Sequence, residues 1–289
     1  MPPPGFHADN PRRALASLGL SARKSLGQNF LHDKNIVGKI VALAYSFSPP
    51  YLEIGPGLGA LTRPLAETGA PVAAVEVDRG LAACLREEFS GTAVEIIEAD
   101  FLAVPDEEWK RRFPCGATAV GNLPYSISSR AILRLIGLRE IFPRAVLMLQ
   151  KEMAQRLCAA PGCKEYGTLS VYLSALSEIS QEFLVKRSCF HPSPDVDSAV
   201  ITIRFSGGFP DELLRALQTV VCAGFARRRK MLRNAPVSFL PGGAEQWLHM
   251  LQSEGIDPSG RAEDVTPASW LSLARRLPVP VSPGGGSEM

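Results

Sequence analysis

Tyr51-Leu52-Glu53-Ile54, running into Gly55-Pro56-Gly57-Leu58-Gly59, constrains this chain more than any other stretch. A short apolar segment enters a turn with glycine at every second position, and Leu61, Leu65 and Ala66 then recur at helical spacing. Strand, glycine turn and helix form the arrangement with which α/β sheets hold nucleotides. The glycines permit a tight turn and let the backbone approach a ligand closely. The pattern is G-x-G-x-G, not the G-x-G-x-x-G of dinucleotide enzymes, and no G-K-[ST] marks a P-loop. No Lys or Arg stands in the turn, and Glu53 just before it repels phosphate. The ligand expected at this turn is a nucleoside without a polyphosphate.

The following residues repeat the alternation of strand and helix. Val72 to Asp78 reads as a second strand, with Glu76 about 20 positions past the turn, where a carboxylate can accept both ribose hydroxyls. A helix carrying Leu81, Leu85 and Phe89 leads to a third strand, Val94 to Ile97, and to Asp100, placed to accept from an adenine amino group. A fourth strand spans Ala117 to Val120, with a helix over Ala131 to Ile136, and a fifth spans Val146 to Leu149 before Gln150-Lys151-Glu152. Another helix carries Val171, Leu173 and Leu176, and two late strands cover Gln181–Val185 and Ser198–Phe205. Between those strands, Phe190 to Asp197 forms a stiff loop with two prolines that presents Phe190 near the strand ends. Periodicity defines an α/β doubly wound domain.

The loop after the fourth strand, Gly121-Asn122-Leu123-Pro124-Tyr125, suits the handling of a flat base with an exocyclic amine. Asn122 offers a side-chain carbonyl oxygen. Leu123 precedes Pro124, which biases it to an extended conformation and fixes the direction of its C=O. Two such acceptors can grip the two N–H bonds of an amino group, and Tyr125 offers a ring face for stacking. The same letters also describe an ordinary turn with a core aromatic.

Before the first strand, Arg12, Arg13, Arg23 and Lys24 make a basic arm, which also reads as a solvated charge run. It leads to Gly27-Gln28-Asn29-Phe30-Leu31 and a helix capped by Asp33. Gln28 and Asn29 can reach a ligand, and Phe30 and Leu31 can act as a staple on that helix. After Ser206-Gly207-Gly208 the pattern turns helical, with helices near 211–226, 227–234, 244–254 and 267–276. This places one domain over 1–206 and a helical one over 207–289, with a Pro/Gly-rich tail from Pro278 expected to be disordered. The run Arg227-Arg228-Arg229-Lys230, with Arg233, puts five cations within seven residues and no acid among them, a patch suited to phosphate backbones.

Net charge is only +2, so any attraction for nucleic acid is local. Six scattered cysteines without a C-x-x-C pair read as reduced, mostly buried thiols of a cytosolic protein, and no metal site is expected. No apolar run reaches membrane-spanning length, and the first residues lack the charged and apolar regions of a signal peptide.

With these pieces placed, the chain resembles the ribosomal RNA adenine N6,N6-dimethyltransferase family, close to its bacterial small-subunit (16S) type. The resemblance covers roughly residues 24 to 276. It rests on Gly27 to Leu31, Glu53 to Gly59, Glu76-Val77-Asp78, Gly121 to Tyr125, Gln150-Lys151-Glu152, Tyr166-Gly167, Phe190 to Pro194 and Val196 to Val200. Arg228-Arg229-Lys230, Gly255 to Pro258 and Arg261-Ala262-Glu263 extend it.

The resemblance implies the seven-stranded, mostly parallel sheet of class I methyltransferases with a small C-terminal all-α domain. It implies S-adenosylmethionine as methyl donor, held at Asn29, Leu31, Gly55, Glu76, Asp100 and Asn122, and catalysis at Asn122, Leu123, Pro124 and Tyr125. Substrate contacts fall on Phe190, Arg228, Arg229 and Lys230, with Phe190 and Tyr125 sandwiching the base. The implied substrate is a pair of adjacent adenosines in the 3′-terminal hairpin loop of 16S rRNA, each dimethylated. The implied partner is the assembling small subunit in the cytoplasm, and the protein acts as a monomer with a role in subunit biogenesis.

Three other readings remain. A sister family methylates a large-subunit rRNA adenosine; against it stand the leucine of Asn-Leu-Pro-Tyr and the C-terminal Arg-Arg-Lys and Gly-Ile-Asp-Pro runs. A ribosome-assembly factor without catalysis conflicts with competent residues at every cofactor and target position. A DNA adenine methyltransferase shares the grip on the amine, but its loop usually reads Asp/Asn-Pro-Pro-Tyr.

Overall fold

Five apolar segments form the parallel part of the sheet in this computed structural model, which describes residues 10–277. They are β1 (Tyr51–Ile54), β2 (Val72–Glu76), β3 (Val94–Glu98), β4 (Thr118–Asn122) and β5 (Arg144–Gln150). Two late strands, β6 (Ser177–Val185) and β7 (Ser198–Phe205), complete a seven-stranded sheet of order β3-β2-β1-β4-β5-β7-β6. β7 runs antiparallel to β5, with Ser198 opposite Gln150. The expectation of a disordered tail from Pro278 concerns residues outside the described range. The cysteines, expected to be mostly buried, are half-buried at Cys84, Cys158 and Cys189 and exposed at Cys115, Cys163 and Cys222.

The central strands β1 and β2 are buried along their whole length, which is why they read as continuous apolar runs. Edge strand β6 starts at Ser177, earlier than its sequence suggests. Its first residues alternate between half-buried and exposed positions, so its polar residues face water.

The helices from the start of the described chain through the one that follows β5 are α1 (Pro11–Ser17), α2 (Lys34–Ser46), α3 (Thr62–Ala66), α4 (Arg79–Glu88), α5 (Asp106–Arg112), α6 (Ser128–Gly137) and α7 (Lys151–Leu157). Asp33 caps α2 as expected, its Oδ1 accepting from the N–H groups of Asn35 and Ile36 at 2.9 and 3.1 Å. One core cluster joins α2 (Ile40, Val41, Ala44) to strand residues Tyr51, Val72, Val120, Val146 and Val200.

The chain divides into two compact units. The first comprises the residues up to Gln155 together with Glu178–Gly207, and it contains the sheet. The second takes up after Gly207, close to the expected boundary, but it also includes Arg156–Ser177. The reason is α8 (Thr168–Leu176), whose buried Leu169, Val171, Leu173 and Leu176 serve the helical unit, where it packs on α9 (Asp211–Phe225) and α11 (Pro267–Arg275). α10 (Gly243–Ser253) adds Trp247, fully buried, whose indole N–H donates to the Leu232 carbonyl at 3.0 Å. The helix expected over 227–234 does not form. α9 ends at Phe225, Arg227–Lys230 lie in a turn, and a single 3₁₀ turn covers Leu232–Asn234.

Candidate active site

Strand order reverses between β1 and β4. The chain steps outward from β1 through β2 to β3, then returns to place β4 on the other side of β1. A crevice opens at the carboxyl ends of strands at such a switch point. Here it is lined from β1 by Gly55 and Gly57, from β2 by Glu76 and Val77, from β3 by Asp100, and from β4 by Asn122 to Tyr125. Leu26 to Leu31 line it as well. No Lys, Arg or His is among the lining residues, whereas Glu53, Glu76 and Asp100 are.

The glycine turn has the form the sequence requires. Gly55, Gly57 and Gly59 have φ of 70°, 58° and 76°, a region costly for other residues. A Cβ on Gly57 would stand 3.1 Å from the Phe30 ring. The Gly57 N–H donates to Glu76 Oε2 at 3.0 Å, and the Asp78 N–H donates to Glu76 Oε1 at 2.9 Å. Burial raises the pKa of Glu76, and these backbone donors pull the other way. An ionised carboxylate has roughly four lone-pair sites, so these donors do not saturate it.

Glu53 is more deeply buried, 1% exposed, and its Oε2 has no hydrogen-bond partner among the described residues. Burial pushes its pKa from 4.5 to about 7; the neighbouring Thr62 hydroxyl and Arg63 oppose this, and the Glu76 charge adds to it. The sequence shows Glu53 only as a repeller of phosphate. Its orphaned oxygen is a property of burial, which no local signal reveals.

Asn122 ends β4, and its Nδ2 donates to the backbone carbonyl of Asn29 at 2.9 Å. Only the amide nitrogen can donate to a carbonyl, so this hydrogen bond turns Oδ1 away as a free acceptor. The Leu123 N–H donates to Met148 O at 3.1 Å, while its carbonyl receives no donor among the described residues. Pro124 O accepts from Ile127 N and the Ser128 hydroxyl, which ties the loop to the start of α6. Tyr125 is half-buried, and its hydroxyl meets Ser198 Oγ at 3.0 Å. Burial raises its pKa, Ser198 partly offsets this, and the Asp197 and Asp195 charges add to it, so the phenol stays protonated. Gly121 admits no side chain, because a Cβ there would lie 2.7 Å from Ile54 O on β1.

Asn29, Leu31, Gly55, Glu76, Asp100, Asn122, Leu123, Pro124 and Tyr125 therefore share one cleft. Asp100 is exposed, and its Oδ1 accepts from the Leu102 N–H at 2.9 Å. Phe190 is not brought there. It is 4% exposed in the core cluster with Leu31 and Val185, and the pair Phe30–Leu31 runs antiparallel to Phe190–His191; Leu31 shares that cluster with Ile40 and Val41 of α2, while Phe30 packs with Leu15, Leu58 and Leu81. The ring expected to pair with Tyr125 is thus taken up by the apolar core beside Leu31 and does not line the cleft. Gln28, open to a ligand in sequence, donates to Asp78 Oδ2 at 3.3 Å.

In the helical unit, Arg228 is not a free cation. Its Nε faces Glu263 Oε2 at 3.2 Å, and its Nη2 donates to the carbonyls of Tyr166 and Lys164. The acid that pairs with it is distant in sequence, which is why the run reads as unopposed. Arg227, Arg229, Lys230 and Arg233 are exposed, with no carboxylate partner among the described residues.

The strand order and the crevice of carboxylates at its switch point define a class I methyltransferase fold. The chain superposes on a dimethyladenosine transferase from Plasmodium falciparum with a TM-score of 0.70 at 25% identity, covering 84% of this chain and 95% of that one. It superposes on the 23S rRNA methyltransferase ErmE with a TM-score of 0.64 at 29% identity, covering 86% and 99%. More narrowly, the chain belongs to the Ribosomal RNA adenine dimethylase family, whose profile matches residues 19–278. It is 41% identical to Ribosomal RNA small subunit methyltransferase A of Geobacter sulfurreducens, over 90% of this chain and 96% of that protein. The protein of the same name from Pelotomaculum thermopropionicum is also 41% identical, over 91% and 94%.

Proposed function

We propose that this enzyme transfers methyl groups to the N6 nitrogens of two adjacent adenosines in the 3′-terminal hairpin loop of 16S rRNA, converting each to dimethyladenosine. The observation that carries this reading is the orientation of Asn122: its nitrogen is consumed by Asn29 O, and neither its oxygen nor the carbonyl of the next residue, Leu123, receives a donor among the described residues. Two fixed acceptors at one strand end match the two N–H bonds of an adenine amine.

The cleft fits S-adenosylmethionine. A lining without cations and with three carboxylates disfavours phosphates and favours a positively charged nucleoside, and Glu53 Oε2 is a buried acceptor without a donor. When bound, S-adenosylmethionine supplies an electrophilic methyl group. Asn29, Leu31, Gly55, Glu76, Asp100 and Asn122 would hold it, with Glu76 on the ribose and Asp100 near the adenine.

The chain's own part is positioning. An adenine amine is a weak nucleophile because its lone pair is delocalised into the ring. Acceptance of its hydrogens by Asn122 Oδ1 and the Leu123 carbonyl draws the nitrogen toward tetrahedral geometry and localises that lone pair. No strong general base is required. The base must leave its stack, and the Tyr125 ring, pinned through its hydroxyl by Ser198, gives it a platform. Exposed Arg227, Arg229, Lys230 and Arg233 serve the RNA phosphates.

The small-subunit substrate is supported by 41% identity to small-subunit enzymes against 29% to ErmE. The partner on this reading is 16S rRNA of the assembling small subunit, met in the cytoplasm by a monomeric enzyme. No described helix is long and apolar enough to cross a membrane. The test is Asn122→Ala on unmethylated small subunits: the single-turnover rate should fall by about 10²–10³, as for loss of a preorganised polar group facing the reacting atom. An undiminished rate would remove Asn122 from the chemistry.

A further inference from the structure

Asp78 lies just beyond Glu76 and outside the lining of the cleft, yet it is 3% exposed and fully engaged. Its Oδ1 caps α4, accepting from the N–H groups of Gly80 and Leu81 at 2.9 and 3.2 Å. Its Oδ2 faces the other way and takes Arg23 Nε at 3.2 Å and Gln28 Nε2 at 3.3 Å. Gln28 Oε1 in turn accepts from the Arg23 N–H at 2.8 Å. One carboxylate thus closes a small ring of polar interactions with both ends of the segment 23–28.

That segment leads directly into the wall of the cleft. Asn29 Nδ2 donates to Gly27 O at 3.1 Å, and Asn29 O receives Asn122 Nδ2. Phe30 packs against Gly57 in the glycine turn. Residues 23–31 are therefore a strap whose polar anchors are Asp78, behind the ribose-binding carboxylate, and Asn122 at the reacting end, with Phe30–Leu31 also paired to Phe190–His191. Leu20, Leu15 and Leu81 bury an apolar cluster on the same side, which brings the strap to Asp78 but does not fix its register.

We propose that Asp78 is a positioning residue. By latching Gln28 and Arg23 it holds the strap in the register that lines the nucleoside site, and so it sets ligand affinity without touching the ligand. The inference rests on the nucleoside reading of the cleft given above.

Asp78→Asn is the informative variant. Asparagine still caps α4 through its oxygen, but it turns an N–H group toward Arg23 and Gln28 in place of an acceptor. S-adenosylhomocysteine binding by calorimetry is expected to weaken about tenfold, the equivalent of removing one charge-assisted hydrogen bond. Amide exchange is expected to quicken in residues 27–31 and not in α4. Arg23→Ala, at a half-exposed side chain, should show the same two changes at a few-fold size, and Arg23→Lys should restore most of the affinity. Should Asp78→Asn fail to fold, the Arg23 pair decides by the same readouts. Wild-type binding with unchanged affinity in the variants overturns the latch alone. Absence of binding to the wild type overturns the nucleoside reading, and the latch with it.

Discussion

Glu53 is the residue whose placement has the clearest energetic consequence. Its folded-state pKa of about 7 lies above the ordinary 4.5, so the folded protein binds more protons than the unfolded chain between those values. Stability from this group is present at low pH and is lost as pH rises from about 4.5 to about 7. Glu53→Gln should remove that slope and raise stability above neutral pH by up to about 3 kcal/mol. Denaturant titrations from pH 5 to pH 8 check it, and an unchanged slope would mean the carboxyl is not so strongly desolvated. A cationic ligand beside Glu53 would favour its ionised form. S-adenosylmethionine should then bind more tightly as pH rises through 7 and release a fraction of a proton, measurable by calorimetry in buffers of different ionisation enthalpy. At this scale the sequence is partly legible. Glu76, Asp100 and Asn122 stand where strand-end reasoning puts them, because a strand and its following loop are local objects. The amide of Asn122 turned by Asn29 and the core burial of Phe190 depend on packing between segments far apart in the chain, and no local pattern encodes them.

The elements read more easily than their ends. The glycine turn, the capped α2 and the five parallel strands follow from apolar runs and turn residues. The basic run after α9 shows the opposite case. Arginine and lysine are good helix formers, but here they occupy a turn because Leu232 must return to the core, 2% exposed, with its N–H donating to Gly260 O at 2.8 Å. Gly121 carries the prediction for the sheet. Its absent Cβ lets β4 bring Asn122 beside β1, and the nearest atom, Ile54 O, is backbone that cannot swing aside. Gly121→Ala should cost about 1–3 kcal/mol by overpacking and lower the melting temperature. It should also impair methyl transfer by displacing Asn122. A variant with wild-type melting and activity would show that the strands part without penalty.

For the molecule as a whole, the proposed chemistry and the proposed RNA contacts fall in different units. The cleft belongs to the sheet unit, while the exposed cations Arg229 and Lys230 belong to the helical one. Reversing both to Glu should weaken binding to small subunits and flatten its salt dependence, by about 0.7–0.9 in log–log slope for each phosphate no longer neutralised. Arg228→Ala should act differently, destabilising the helical unit by loss of Glu263 and the Tyr166 carbonyl while changing the salt slope little. Equal slopes for the double reversal and the wild type would take the run out of the RNA interface. The division at Gly207 is visible as a composition shift, whereas the membership of Arg156–Ser177 in the helical unit is not, since α8 is apolar nearly all round, which says that it is covered but not by which unit. The most direct measurement is methyl transfer from labelled S-adenosylmethionine to unmethylated small subunits, large subunits and DNA, followed by digestion and identification of the labelled nucleoside. The expected product is N6,N6-dimethyladenosine at two adjacent positions on small subunits alone. Monomethyladenosine only, or label on large subunits or DNA, would contradict it.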